Sequence, residues 1–293
     1  MKDYHSIREL FEEADLRRCS PGVLACRKEA EEQNIPYEEA WERMKKLIPI
    51  FEHSIRRGLA DKSRSLSGMI GGDANRLYRA KMHFLSPVCR RACAYAIAAA
   101  EANAKMYRIV ACPTAGSCGI VPAVLGAVGR EIRATEDEYT RALFTAGAIG
   151  RVVAEQASIA GAVGGCQAEC GTAVGMAAAG AVDLLGGTTE QMGDALALGI
   201  KNLLGLVCDP VAGLVEVPCV KRNGMDAVIA LTAAEMALAG IHSVIPPDEV
   251  IDAMGKIGRL LPASLRETSQ AGLAVTPTGQ RITEELNRKL KTS

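Results

Sequence analysis

In the first 66 residues apolar positions return every three or four residues with charges between them, the pattern of amphipathic helices. In "YEEAWERMKKLIPIFEHSIRRGL", Trp41, Met44, Leu47 and Ile48 keep that spacing, and Pro49 predicts a kink or break. The pattern changes at Ser67, where "SLSGMIGGDANRL" reads as a Gly-rich turn with Asp73 suited to cap the helix after it. From about residue 90 to 245 the chain turns Ala/Gly-rich, as in "AYAIAAAEANA", "TAGAIGRVVAEQASIAGAVGG" and "GTAVGMAAAGAVDLLGG". Small residues three and four apart let helix backbones approach closely, which predicts buried helices in a tight bundle. Strand patterning is scarce: "RIVACP" and "GLVEVPC" are short, and each abuts a turn signal. Further helices are predicted at about 225–240, from "IPPDEV" with Pro247 in the first turn, and over the charged C-terminus. The expected fold is all-α: a catalytic-sized domain over 67–293, with 1–66 as an amphipathic helical segment packed on it.

Composition narrows the partners. The 293 residues carry 34 Lys+Arg against 34 Asp+Glu, so no net field favours nucleic acid or an anionic membrane. Aromatic residues make up only 4%, which argues against a base-stacking surface. No stretch approaches the roughly 20 uninterrupted apolar residues that cross a bilayer; Arg151, Glu155, Glu169 and Asp183 punctuate even the most apolar region. The opening "MKDYHSIRELFEEADLRRC" is charged throughout and holds no apolar signal core. A soluble, cytoplasmic protein without nucleic-acid or membrane partners is expected. In that compartment the ten cysteines stay reduced, as buried fillers, metal ligands or catalytic groups.

Three segments interrupt apolar helices with Gly and Pro: "CPTAGSCGIVP" (112–122), "GGCQAEC" (164–170) and "CDPVAGLVEVPC" (208–219). A broken buried helix frees backbone N–H groups that need a partner, and a ligand is one candidate. The first loop is able to hold a carboxylate with its N–H groups and with Thr114 and Ser117, although alone it reads as an ordinary loop and helix cap. A buried free Cys is usually a small hydrophobe, the reading for Cys19, Cys26, Cys89 and Cys93. Cys166 and Cys170 share a face if helical, which fits a metal or mere packing. Cys208 precedes Asp-Pro and Cys219 follows Pro218, so both thiols sit on stiff backbone, and Gly213 permits a reversal between them. Thiolates suit zinc or iron–sulfur. The spacing lacks the paired CxxC of structural zinc, and lacks the radical-enzyme pattern as well.

The motifs "VACPTAGSCGIVPAVL", "GGCQAECGTAVGMAAAG", "NLLGLVCDPVAGLVEVPCVKRN" and "LRETSQAGLAVTPTG" closely resemble the α subunit of the iron–sulfur L-serine dehydratases, from about Ser67 to Gly279. The resemblance implies an all-helical catalytic chain whose Gly/Pro-broken loops surround a [4Fe–4S] cluster. Its ligands, matched by motif, are Cys166, Cys208 and Cys219, with Cys170 left to packing or support. It further implies one open iron, Lewis-acid loss of the β-hydroxyl of L-serine without pyridoxal phosphate, and release of pyruvate and ammonia; a monovalent cation is an optional assistant. Substrate-binding candidates are Thr114, Ser117 and Gly119, then Asn103, Arg222 and Asn223. None of His5, His53, His83 and His242 lies in a matched motif, so the base is unassigned. The family's Ser-His-Thr segment belongs to a separate α/β domain absent here, and a heteromer with a β subunit that brings the base is therefore expected. Tyr107 stands where a small residue is usual, and Ala271 where the family carries "GG". Rival readings are a related lyase acting on threonine or cysteine, since such a change in substrate shifts affinity by only ~1–3 kcal/mol, and a metal-free helical scaffold.

Overall fold

The computed structural model describes residues 3–292, and among these the regular structure is helical, with no strand. The helices are α1 (Ile7–Leu16), α2 (Pro21–Gln33), α3 (Tyr37–Lys45), α4 (Ile48–Ala60), α5 (Asp73–Arg79), α6 (Pro87–Ala104), α7 (Ile120–Ile132), α8 (Glu136–Gln156), the single turn α9 (Gly161–Gly164), α10 (Thr172–Leu184), α11 (Thr189–Lys201), α12 (Cys219–Leu238), α13 (Pro247–Leu260) and α14 (Pro277–Thr292). The all-α expectation holds. Starts follow local chemistry: Ser6, Ser20 and Ser86 accept backbone N–H bonds as N-caps, and Thr135 with Glu138 forms a reciprocal capping box. Pro247 opens α13 as expected.

Two local expectations need correction. The helix predicted from 225 begins six residues earlier, at Cys219. Asp73 does not cap α5: Gly72 occupies the N-cap in a left-handed conformation, and the Asp73 carboxylate pairs with Arg76 and Lys221. The helix N-terminus is held instead by fully buried Glu101, which accepts from the N–H groups of Gly72 and Asp73 at 3.2 and 2.8 Å. In keeping with the scarce strand patterning, "RIVACP" and "GLVEVPC" form no strands; among the described residues a single bridge joins Cys208 and Arg266. The break before Pro49 falls at Lys46–Leu47, with Pro49 in the first turn of α4.

Helix α10 runs through the middle of the bundle, and every residue from Thr172 to Leu184 is buried. It packs on α7, α8, α11 and α12, while α6 packs on α4, α7 and α12. The small-residue pattern explains the closeness: a Cβ on Gly58 of α4 would run into the Ala98 carbonyl of α6. The N-terminal helices dock on this bundle, α1 against α11 and α13 and α2 against α8, contributing Ile7, Leu10 and Leu24 to the same core. The two departures from the family pattern are accommodated. The Tyr107 hydroxyl donates to Asp61 at 2.8 Å with Arg57 stacked over its ring, and Ala271 has an extended backbone that needs no glycine. No helix among the described residues is long and apolar enough to cross a membrane.

Candidate active site

The three Gly/Pro-broken segments meet at one end of α10 and α12. Between α9 and α10 the chain makes a π-helical turn, Gln167–Gly171, with Cys166 immediately before it. Single π turns interrupt helices most often at functional sites. This one brings the sulfurs of Cys166 and Cys170 to 3.4 Å, both buried. Cys208 is pinned by backbone on both sides: its N–H donates to Leu265 O at 2.9 Å, and its carbonyl accepts from Glu267 N at 2.8 Å. Gly213, with φ +69°, turns the chain back toward Cys219, the first residue of α12.

Helical spacing places Cys219, Arg222, Asn223 and Asp226 on one face of α12. Arg222 donates to Val207 O at 3.0 Å and to Asp209 Oδ1 at 3.3 Å, which anchors the segment carrying Cys208. Asn223 is fully buried. It accepts from Gly119 N at 2.9 Å and donates to Gly116 O and Cys219 O at 2.7 and 2.9 Å. Asn103 donates to Ala115 O at 3.1 Å from the other side. The two asparagines therefore clamp the 114–119 loop, and the Gly119 N–H is already engaged. Thr114 and Ser117 bond each other at 3.1 Å, and Thr114 is half-buried where Ser117 is fully enclosed.

The electrostatics are uneven. Cys166 is held well below the ordinary thiol range by hydrogen bonds from Cys170 and then Cys208, with Arg222 adding its charge. The same bonds, with burial, push Cys170 and Cys208 up. Burial, reinforced by the negative charge on Cys166, raises Cys219 to about 12. Of the four, Cys166 is the one whose surroundings favour the thiolate. Among the described residues no three His, Cys, Asp or Glu side chains are gathered to close on a single metal ion.

Two carboxylates complete the site, and the sequence reading gave neither a role. Glu169, half-buried on the π turn, accepts from Thr114 Oγ1 at 2.7 Å. Burial pushes its carboxyl up to about 7, with the charges of Cys166 and Glu267 adding and the Thr114 bond opposing. Asp226 is 3% exposed, and its Oδ2 meets no hydrogen-bond donor among the described residues. Burial and then the charge of Cys166 raise it to about 7, against the Cys170 thiol and Arg222. The available signal was a lone acid inside an otherwise apolar run, "GGCQAEC" for the one and "NGMDAVIAL" for the other. Each of the four histidines lies outside this constellation; His242, for example, bonds Asp194 at 2.9 Å.

An all-helical bundle with cysteine-bearing broken helices at one end defines the class, and comparison gives the family. The family described as "Serine dehydratase alpha chain" matches residues 19–274. The chain is 48% identical over 286 residues to the "Probable L-serine dehydratase, alpha chain" of Bacillus subtilis (strain 168), covering 97% of this chain and 95% of that one. It is 39% identical over 281 residues to the "L-serine dehydratase, alpha chain" of Peptoniphilus asaccharolyticus, covering 95% and 96%. It is also 48% identical over 183 residues to "L-serine dehydratase 1" of Escherichia coli (strain K12), where the match covers 62% of this chain but only 40% of the relative. The chain belongs to the serine dehydratase alpha chain family.

Proposed function

We propose that this chain is the catalytic α subunit of an L-serine ammonia-lyase that converts L-serine to pyruvate and ammonia, using a [4Fe–4S] cluster held by Cys166, Cys208 and Cys219. The observation that carries the reading is the bonding of Asn223, which joins the 114–119 loop to the turn bearing Cys219, on the helix face that also carries Arg222. A substrate-orienting loop and a thiol-lined site are thereby fastened into one unit.

The residues fit such a cluster. Thiols are the donors that iron–sulfur groups take, and the neighbours of Cys166 favour its thiolate form. Four-iron clusters are gripped at separate corners, so their thiols need not converge as the ligands of one ion do. The orphaned, buried Oδ2 of Asp226 marks a polar interior beside Cys170 that the protein groups alone do not satisfy. When bound, the cluster would supply a Lewis acid at an iron that the chain leaves unligated, easing loss of the serine β-hydroxyl.

The chain itself binds and orients. In this reading Thr114 and Ser117, which bond each other, would receive the substrate carboxylate, while Asn103 and Asn223 hold their loop through its backbone. Arg222 stabilises the thiolate and braces Cys208 through Asp209 and Val207. Cys170 supports Cys166 without serving as a ligand, and Gly119 acts through its bond to Asn223. Residues 67–293 form the catalytic unit and 1–66 its packed appendage. All ten cysteines are free, which suits a reducing cytoplasm. The Escherichia coli relative extends well beyond the matched 40% of its length, and a separate β chain is the proposed counterpart of the remainder.

Co-expression with a β-type chain under anaerobic conditions, followed by pyruvate release from serine and threonine, tests the function. Serine-dependent pyruvate from brown, iron-containing protein supports it. A colourless, inactive complex without iron, or a yellow one inactivated by hydroxylamine, rejects it. Two variants refine the assignment. Cys170→Ala is expected to retain iron and sulfide at the wild-type level; loss of iron from it, with iron kept in Cys219→Ala, would make Cys170 a ligand and overturn the proposed set. Ser117→Ala is expected to raise the serine KM about tenfold, the scale of one lost hydrogen bond to a charged group; steady-state kinetics with an unchanged KM would take Ser117 out of the substrate site.

A further inference from the structure

We infer that the groove bounded by α4, α5 and α7 is a binding site for a nucleoside polyphosphate, separate from the catalytic site. No residue of the 114–119 loop, the π turn or the Cys208–Cys219 segment lines it, and the inference stands apart from the serine dehydratase reading.

The groove has a volume of about 1110 Å³, room enough for a nucleotide. Phe51 and Ile55 of α4 give it an apolar floor. Aromatic residues are scarce in this chain, yet three of its six tyrosines, Tyr78, Tyr95 and Tyr139, line this one groove. Tyr78 and Tyr95 stack with ring centroids 6.1 Å apart, and both are half-buried. Partly exposed aromatic rings are what a nucleobase stacks on.

Five cations stand around the floor: Arg56, Lys62, Arg79, Arg130 and Arg133. Arg130 donates to the Tyr95 hydroxyl at 3.1 Å, and the other four make no ion pair or hydrogen bond among the described residues. The acids that line the groove are Glu52 and Glu136, and Glu136 already has Lys45 at 3.5 Å. Cations at helix C-termini are ordinary, and α4, α5 and α7 all end here. Each helix end offsets about half a charge, so the three ends and two acids together still leave a positive excess. In a chain with 34 cations and 34 anions that excess is local. A buried donor beside the tyrosines also lacks an acceptor: the Arg90 guanidinium lies 5.9 Å from the Tyr78 ring centroid, and its Nε meets none among the described residues. Arginine forks and a lysine ammonium match phosphate oxygens. A singly charged carboxylate would leave much of this rim unanswered, whereas a base on the floor with two or three phosphates on the rim answers both halves of the groove.

The test is isothermal titration of the full chain with ATP, adenosine and inorganic tripolyphosphate, all without magnesium and at one ionic strength. The expected result is one saturable ATP site per chain, at least tenfold tighter than adenosine or tripolyphosphate. Arg79→Glu and Arg133→Glu, both at exposed positions, are expected to weaken ATP at least tenfold with unchanged circular dichroism. Tyr78→Ala is expected to weaken ATP about fivefold or more and to leave tripolyphosphate as it was. Arg27→Glu, an exposed cation on α2 away from the groove, should match wild type. Absence of saturable ATP binding overturns the inference, and so does an equal loss in Arg27→Glu, which would mean diffuse attraction to charge. Equal affinity for ATP and tripolyphosphate would show that the floor receives no base, and that too overturns it. Tighter binding of an oligoglutamate peptide than of ATP would make the groove a protein-docking surface instead. ATP binding by the free chain that disappears in the α/β complex would make it a subunit interface, with the same consequence.

Discussion

Cys208→Ala is expected to abolish both iron binding and pyruvate formation while leaving the fold intact. The Cys208 backbone is held by N–H and C=O bonds to Leu265 and Glu267, neither of which needs the sulfur. The substitution therefore removes a ligand and little else, and an alanine at a 4% exposed position leaves only a small cavity. Iron and sulfide analysis should fall to background, kcat below detection, and the far-ultraviolet circular dichroism should match wild type. Cys166→Ala and Cys219→Ala are expected to behave alike. A Cys208→Ala complex that keeps its iron would contradict the ligand set.

Asn223→Ala carries the second largest expected effect. One fully buried amide satisfies the Gly119 N–H and the Gly116 carbonyl and adds a second bond to the Cys219 carbonyl, and its removal strands the first two. Each unsatisfied buried group costs about 1–3 kcal/mol. Relaxation of the loop toward water recovers part of that, so a destabilisation of about 2–4 kcal/mol is expected in urea denaturation under anaerobic conditions. Because the loop loses its attachment to α12, the serine KM should also rise by at least tenfold. Asn223→Asp discriminates further: it preserves the acceptor for Gly119 but loses both donations, and should fall between wild type and alanine in both measurements. Wild-type stability in Asn223→Ala would show that the clamp does not hold the loop.

The bundle was readable because its cause is local. Runs of Ala and Gly at helical spacing have few alternatives to close helix packing, and Pro247 and the Pro49 break follow from one residue each. The features that escaped are tertiary. The helix expected from about 225 starts at Cys219, where Asn223 and Gly224 are buried against the 114–119 loop and α6. Asp73 looks like a cap, but Glu101, 28 residues later, performs that task. The π turn has no composition of its own, and without it the pairing of Cys166 with Cys170 and the exposure of Glu169 to the loop are invisible. The proposed cysteine roles came from long, unusual motifs; spacing weakened structural zinc but did not choose between a cluster and packing. A solitary Glu in "GGCQAEC" carries no label either; only the bond to Thr114 ties it to the 114–119 loop.

The central claim is a cluster that this chain grips with three thiolates, leaving one iron for substrate. Mössbauer spectroscopy of the anaerobic ⁵⁷Fe-labelled α/β complex, with and without L-serine, addresses it most directly. The account predicts a four-iron cluster in which one iron differs from the rest and changes its spectrum when serine is added. Four irons unaffected by serine, or a complex that binds no iron, would contradict it.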